Sequence, residues 1–207
     1  MAGNAQAERQ ALADLLVEVG PDAPTLCEGW TTRDLAAHLV LRERRPAAAA
    51  GIMVGRLAPY TARVQQALRD GRPWPALVQA VRDGPPAYLR LLDEPVNTIE
   101  YFVHHEDVRR ARPGWSPRAL PPALERALWA RLRMLARVVG RRAPVGLVLD
   151  APGYGRATAR RGEPEVTVTG PPGELVLFAT GRQRVAQVEL SGPPEAVERV
   201  RGADFGL

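Results

Sequence analysis

The chain has 207 residues with a formal net charge of +5, one cysteine and three histidines, and each of its 28 basic residues is an arginine. An apolar fraction of 45% supports a buried core and argues against disorder, and a lone cysteine excludes both a disulfide framework and a cysteine-based zinc knuckle. No apolar run approaches the roughly 20 residues of a membrane span. The opening stretch MAGNAQAERQ lacks the basic start and apolar run of a secretory signal, so a cytoplasmic protein is expected. The arginines are spread from Arg9 to Arg201 instead of forming one patch, and no aromatic-interleaved RNA motif accompanies them. Nucleic acid is therefore not the expected partner.

In chain order, Leu12, Leu15, Leu16 and Val19 recur at helical spacing, and Gly20-Pro21 stops that helix. A loop, PDAPTLCEGW, leads to a second helix with Thr31 as N-cap and Asp34 three residues on, a capping-box pattern with Trp30 and Leu35 placed as a staple. Its face carries Leu35, His38 and Leu39, with Arg42 one turn beyond His38, and it ends near Pro46. Residues 47–59 read as a buried connection or a short helix. Helices are expected over 60–70 and 74–92, interrupted at Gly71-Arg72-Pro73 with a second break open at Gly84-Pro85-Pro86, then from about 96, after Pro95, to 111, and over about 121–140. After Pro144 the pattern becomes short and β-branched: VGLVLD, GRATARR and EVTVTG as strands, a helix entered through Pro171-Pro172, a strand VAQVEL, and a last helix from Pro194. The expected layout is a helical bundle over residues 1–142 and a small α+β domain over 143–207.

The histidines carry the chemistry. Glu100 and His104 are four residues apart, so on a helix their Cβ atoms are about 5–6 Å apart. Asp107 continues the same line, and Ile99, Phe102 and Val103 form the flanking apolar side. A carboxylate and an imidazole so placed can chelate one metal ion, with His38 from a facing helix as third ligand and a fourth position open. The same residues admit plainer roles. His38 can be a core histidine, and Asn97-Thr98-Ile99-Glu100 is itself a capping-box pattern in which Glu100 reaches back to the Asn97 amide. His105 points about 100° away from His104 around the helix, which suits a packing or surface residue. Cys27 reads as a small buried hydrophobe.

Two strings, LCEGWTTRDLAAHL over 26–39 and EYFVHHEDV over 100–108, resemble the mycothiol-dependent maleylpyruvate isomerase family of the DinB-like superfamily. Gly29, Trp30, Thr31, Asp34, Leu35, His38 and Leu39 fit the family's first motif; Glu100, His104 and Asp107 fit its second. Gly170–Leu175 and Gly181-Arg182 fit a GPPxEL…GR stretch of its second domain. The resemblance implies a mainly α fold, a DinB-like four-helix bundle followed by a small C-terminal α+β domain. It also implies a divalent metal, most simply zinc, held by His38, Glu100 and His104, with Asp34 and Asp107 orienting the imidazoles. The implied activity is that of an isomerase or S-transferase in which an external thiol, mycothiol, adds to a small electrophilic or unsaturated substrate. An anionic substrate calls for a cation, for which Arg182 is the first choice as a catalytic residue and Arg42 the second. The alternative is a metal-binding protein of the same fold without turnover, a sensor or sequestering protein.

Overall fold

A computed structural model describes residues 3–206, apart from the side chains of residues 52, 53 and 90–92. The chain is mainly α with a C-terminal α+β part, and it divides between Ser116 and Pro117 into two compact units.

The first unit holds α1 (Asn4–Val19), α2 (Thr32–Arg44), α3 (Pro46–Met53), α4 (Ala58–Gly71), α5 (Trp74–Asp83) and α6 (Arg90–Arg110), with 3-10 turns at Gly55–Leu57 and Ala87–Leu89. Helix α1 packs on α5 and α6, and α2 packs on α3, α4 and α5. Leu12, Leu16, Leu35, Leu39, Leu41, Leu77, Val81 and Tyr101 form the core between them. At residues 47–59 the short-helix reading holds, in the form of α3 and the turn after it. Gly20 ends α1 with a φ of 79°, a backbone conformation that favours glycine. Among the described residues no helix is long and apolar enough to cross a membrane.

In this unit the segment expected over 74–92 breaks after Asp83, and the start of the next helix moves. Helix α6 does not start after Pro95; it begins at Arg90 and runs through the proline. Pro95 lacks an N–H to return to the preceding turn, so that turn is held from outside. Asp93 pairs with Arg9 of α1 at 2.6 Å. Glu94 accepts the Ala5 N–H at 2.9 Å and the Asn4 side-chain amide at 3.1 Å, supplying from α6 a cap that α1 lacks at its own start. Tertiary contacts thus hold a helical turn that local propensity disfavours.

Arg9 is the centre of this arrangement. It is completely buried, bonds Glu43 of α2 at 2.6 Å as well as Asp93, and lies 4.3 Å from the centroid of the Tyr101 ring. Asn97 on α6 donates to both Glu43 and Asp93, so α1, α2 and α6 share one buried polar cluster. Charges taken out of water this completely are tolerated only when paired and hydrogen-bonded.

The second unit begins with α7 (Pro122–Gly140) and continues through β1 (Gly146–Ala151), β2 (Gly155–Arg160), β3 (Glu165–Thr169), α8 (Pro172–Ala179), β4 (Glu189–Ser191) and α9 (Pro194–Arg201). The sheet order is β2-β1-β3-β4, with β1 parallel to β3 and antiparallel pairings at both edges. Helix α7 packs on β2 and α8, so this division groups α7 with the sheet, whereas the sequence boundary near residue 142 groups it with the bundle. The expected strand VAQVEL shortens to its end. The Val185 and Ala186 amides bond Arg182 O in a turn, and the Gln187 amide bonds the Glu174 carboxylate, so only Glu189 onward reaches β3.

Truncating Arg9 leaves the Glu43 carboxylate buried without its cation. Arg9→Ala is expected to destabilise the protein by about 3–5 kcal/mol, read as a loss of denaturation midpoint. Arg9→Met, which fills the volume without the charge, would suffer the same orphaned carboxylate unless Glu43 is changed with it.

Candidate metal centre

The site is built from α2 and α6. His38 stands on α2, seven residues after its Thr31 N-cap, and Glu100 and His104 stand one turn apart on α6. The Glu100 Oε1 lies 3.4 Å from His38 Nε2 and 3.1 Å from His104 Nε2, and the donor atoms of the three residues fall within 4.8 Å of one another. Both imidazoles are buried, and the two rings meet edge to face with centroids 5.4 Å apart. The structure therefore brings together the three residues that the spacing and the resemblance had singled out.

The setting of each ring differs. His104 Nδ1 lies 2.9 Å from Asp107 Oδ2, so the carboxylate holds that nitrogen and its Nε2 edge is left toward Glu100. The Trp30 ring covers His38 at a centroid distance of 5.1 Å. Arg42 Nε lies 3.1 Å from the same Glu100 oxygen, and its Nη1 donates to Asn97 Oδ1 at 2.8 Å. This ties the site to the buried Arg9 cluster through Asn97.

Electrostatics separates the titrating groups. Burial pushes the Glu100 carboxyl upward, but His104, His38 and Arg42 outweigh it and hold Glu100 well below the usual carboxylate range. Burial alone would lower His104; Glu100, Asp107 and Cys27 overcome it and raise that imidazole well above its usual value. His38 moves the other way, lowered by burial and by the nearby His104 and Arg42 charges against the pull of Glu100. Two imidazole nitrogens and a carboxylate oxygen converging from two helices, one imidazole oriented from behind by an aspartate, form a donor set that fits a divalent metal ion.

Other candidates fall elsewhere. Glu100 is not a helix cap, because α6 starts ten residues before it and Asn97 is already engaged with Glu43 and Asp93. Asp34, expected to orient an imidazole, instead serves the start of α2. Its Oδ2 accepts the Thr31 N–H at 3.0 Å and the Thr31 hydroxyl at 2.7 Å, and its Oδ1 accepts from Arg69 at 3.1 Å. His105 stays out of the group, as its angle on the helix indicates, and pairs with Glu8 of α1 at 3.0 Å in a buried contact. Arg182 belongs to the second unit, where its guanidinium donates to Thr180 O and its backbone N–H to Leu177 O at the end of α8. Trp30, a staple and motif residue by sequence, lies against His38, and the Cys27 Sγ contacts Asp107 at 3.3 Å. Neither contact has a local signal, because both depend on where the loop before α2 folds back.

A family model, the mycothiol maleylpyruvate isomerase N-terminal domain, matches residues 5–139. The chain belongs to this family. Two solved structures resemble it over 91% of this chain and 90% of theirs: a mycothiol-dependent maleylpyruvate isomerase at 23% identity and TM-score 0.54, and a histidine-to-alanine mutant of such an isomerase at 21% identity and TM-score 0.55. At that identity these neighbours speak for the fold. Comparison with curated proteins gave no match. The family match includes all of α2 and α6, so the isomerase-type domain contains the whole His38–Glu100–His104 group.

Burial raises the Asp34 carboxyl, but the Thr31 and Arg69 hydrogen bonds prevail and leave it below its ordinary value of 3.8. A depressed carboxylate stabilises the fold above the unfolded pKa, and that contribution is lost as pH falls through the lower, folded value. Asp34→Asn is therefore expected to cost about 0.5–2 kcal/mol at neutral pH, with the gap to wild type closing below about pH 4. Thermal melts across that range would show it; a gap constant down to acid would contradict the assignment.

Proposed function

We propose that this protein is a metal-dependent enzyme that uses an external thiol, with zinc held by His38, Glu100 and His104 and mycothiol as the thiol co-substrate. The observation that carries the reading is the single Glu100 oxygen placed within 3.4 Å of both imidazole Nε2 atoms, with Asp107 behind His104. Membership of the mycothiol maleylpyruvate isomerase family supports the choice of thiol. When bound, a divalent metal with an open position supplies Lewis acidity that favours the deprotonated form of a thiol or water near neutral pH.

The side chains divide the remaining work. Asp107 holds the His104 Nδ1–H and fixes which nitrogen faces the donor cluster. Arg42, 21% exposed and already against Glu100, places a guanidinium at the edge of the site where a substrate carboxylate can pair with it. Trp30 shields the outer face of His38 from water. The protein's own thiol is not the nucleophile in this reading, because Cys27 contacts Asp107, on the Nδ1 side of His104 and away from Glu100. An external thiolate adds to a carbon of a conjugated double bond, and the π electrons move onto the conjugated carbonyl. The resulting single bond rotates, and expulsion of the thiolate restores the double bond in the other geometry, with no net change in atoms or electrons. If the adduct is protonated and released instead, the outcome is S-transfer. The proposed substrate is thus a small unsaturated or electrophilic acid.

Purified protein loaded with zinc is expected to hold one equivalent of metal, and His38→Ala and His104→Ala are each expected to lose it in elemental analysis. Unchanged metal content in both variants would refute the site. Turnover of unsaturated dicarboxylic acids is expected only when mycothiol is added, with Arg42→Ala raising KM for the acid by about tenfold while retaining zinc. Arg182→Ala, tested in the same assay, would earn a catalytic part by losing turnover with zinc retained. Zinc binding with no thiol-dependent turnover of any such acid would favour a sensor or sequestering protein.

A further inference from the structure

We infer that Cys27 is a positioning residue for the metal-facing imidazole of His104, acting through Asp107; the inference rests on the metal-site reading above. Asp107 is completely buried, and one of its oxygens, Oδ2, faces two groups: His104 Nδ1 at 2.9 Å and the Cys27 Sγ at 3.3 Å. A thiol S–H is a weak donor, and here it meets a charged acceptor removed from water, where such bonds gain strength. With both donors on one oxygen, the carboxylate plane is fixed by two directions instead of one. The same aspartate is held a second time by its backbone, since Leu26 N–H, from the residue before Cys27, donates to Asp107 O at 3.1 Å.

The loop that carries Cys27 is itself locked. The Thr25 hydroxyl donates to Trp30 O and accepts the Cys27 N–H, Trp30 N–H returns to Cys27 O, and Pro24 bridges to Thr31 at the start of α2. One short segment therefore addresses both imidazoles: Trp30 lies on the His38 ring, and Cys27 meets the Nδ1 side of His104 together with Asp107. Cys27, His104 and Asp107 also bring their donor atoms within 4.8 Å of one another. The sulfur could in that case bind a metal directly, but His104 Nδ1 would then have to give up the Asp107 contact that leaves Nε2 toward Glu100 and His38. The geometry around Glu100 favours the positioning role.

The test compares wild type with Cys27→Ser, Cys27→Ala and Cys27→Val. Zinc affinity is measured by competition with a chromophoric chelator, folding stability by thermal melts, and coordination by the absorption spectrum of the cobalt-substituted protein. Partners one step behind a ligand change metal affinity about 10–100-fold; a thiol is a weak donor and acts mainly on Asp107, and a loss of about 3–10-fold is expected in Cys27→Ala and Cys27→Val. Cys27→Ser keeps a donor and is expected to stay near wild type. Valine fills the volume without donating, so a Val variant that binds zinc like wild type would mean Cys27 only packs, overturning the inference. A thiolate-to-cobalt charge-transfer band in wild type, lost in all three variants, would make Cys27 a ligand and overturn it as well. Equal affinity in all four proteins also refutes it while leaving the site standing, whereas failure of wild type to bind zinc would remove both.

Discussion

The register of α2 against α6 depends on Arg9. A guanidinium with no solvent exposure bridges Glu43 on one helix and Asp93 on the other, and it reaches them from a third helix, α1. A buried ion pair of this kind adds little net stability over an apolar packing, but it penalises any arrangement that leaves a charge unpaired. Sliding α2 by one turn would break the Arg9–Glu43 pairing and the Asn97–Glu43 hydrogen bond together. His38 lies five residues before Glu43, and Glu100 lies seven after Asp93, so the distances within the His38–Glu100–His104 group follow from the pairings at Arg9.

From that constraint a polar stripe follows along α6. Asp93, Asn97, Glu100, His104 and Asp107 are spaced alternately by four and three residues, the spacing of one helix face. Asp93 and Asn97 serve the Arg9 cluster, Glu100 and His104 form the donor group, and Asp107 fixes the last imidazole. Arg42 joins the two parts, touching Asn97 with one nitrogen and Glu100 with another. The lower part of the stripe is satisfied by protein groups alone. The upper part gathers two imidazoles and a guanidinium on one Glu100 oxygen, the group whose donor atoms fit a divalent ion.

How much of this was legible in the sequence differs from residue to residue. The Glu100–His104–Asp107 spacing is local, so any helix through these residues puts them on one line. The start of α6 was not legible, because Pro95 is a strong local stop and the contacts that override it, Asp93 with Arg9 and Glu94 with the first turn of α1, come from about ninety residues away. That misplaced start is also what left Glu100 open to a capping role. Asp34 was legible as a capping residue and became a site candidate only by its position in the family motif; four residues before His38, it shares a helix face, but its carboxylate turns back to Thr31.

The chain alone determined which residues could do chemistry. With three histidines and one cysteine, and with the carboxylate spacing set by the helical repeat, the choice of donor group was narrow before any fold was known. Its abundant arginines said little on their own, since composition carries no position. Tertiary structure decided which arginine lies at the site, Arg42; which lies buried at the helix junction, Arg9; and that the lone thiol faces Asp107 instead of Glu100. The reason is physical: helical periodicity operates over a few residues, whereas pairing of buried charge operates across the whole core and selects one register among those that periodicity allows.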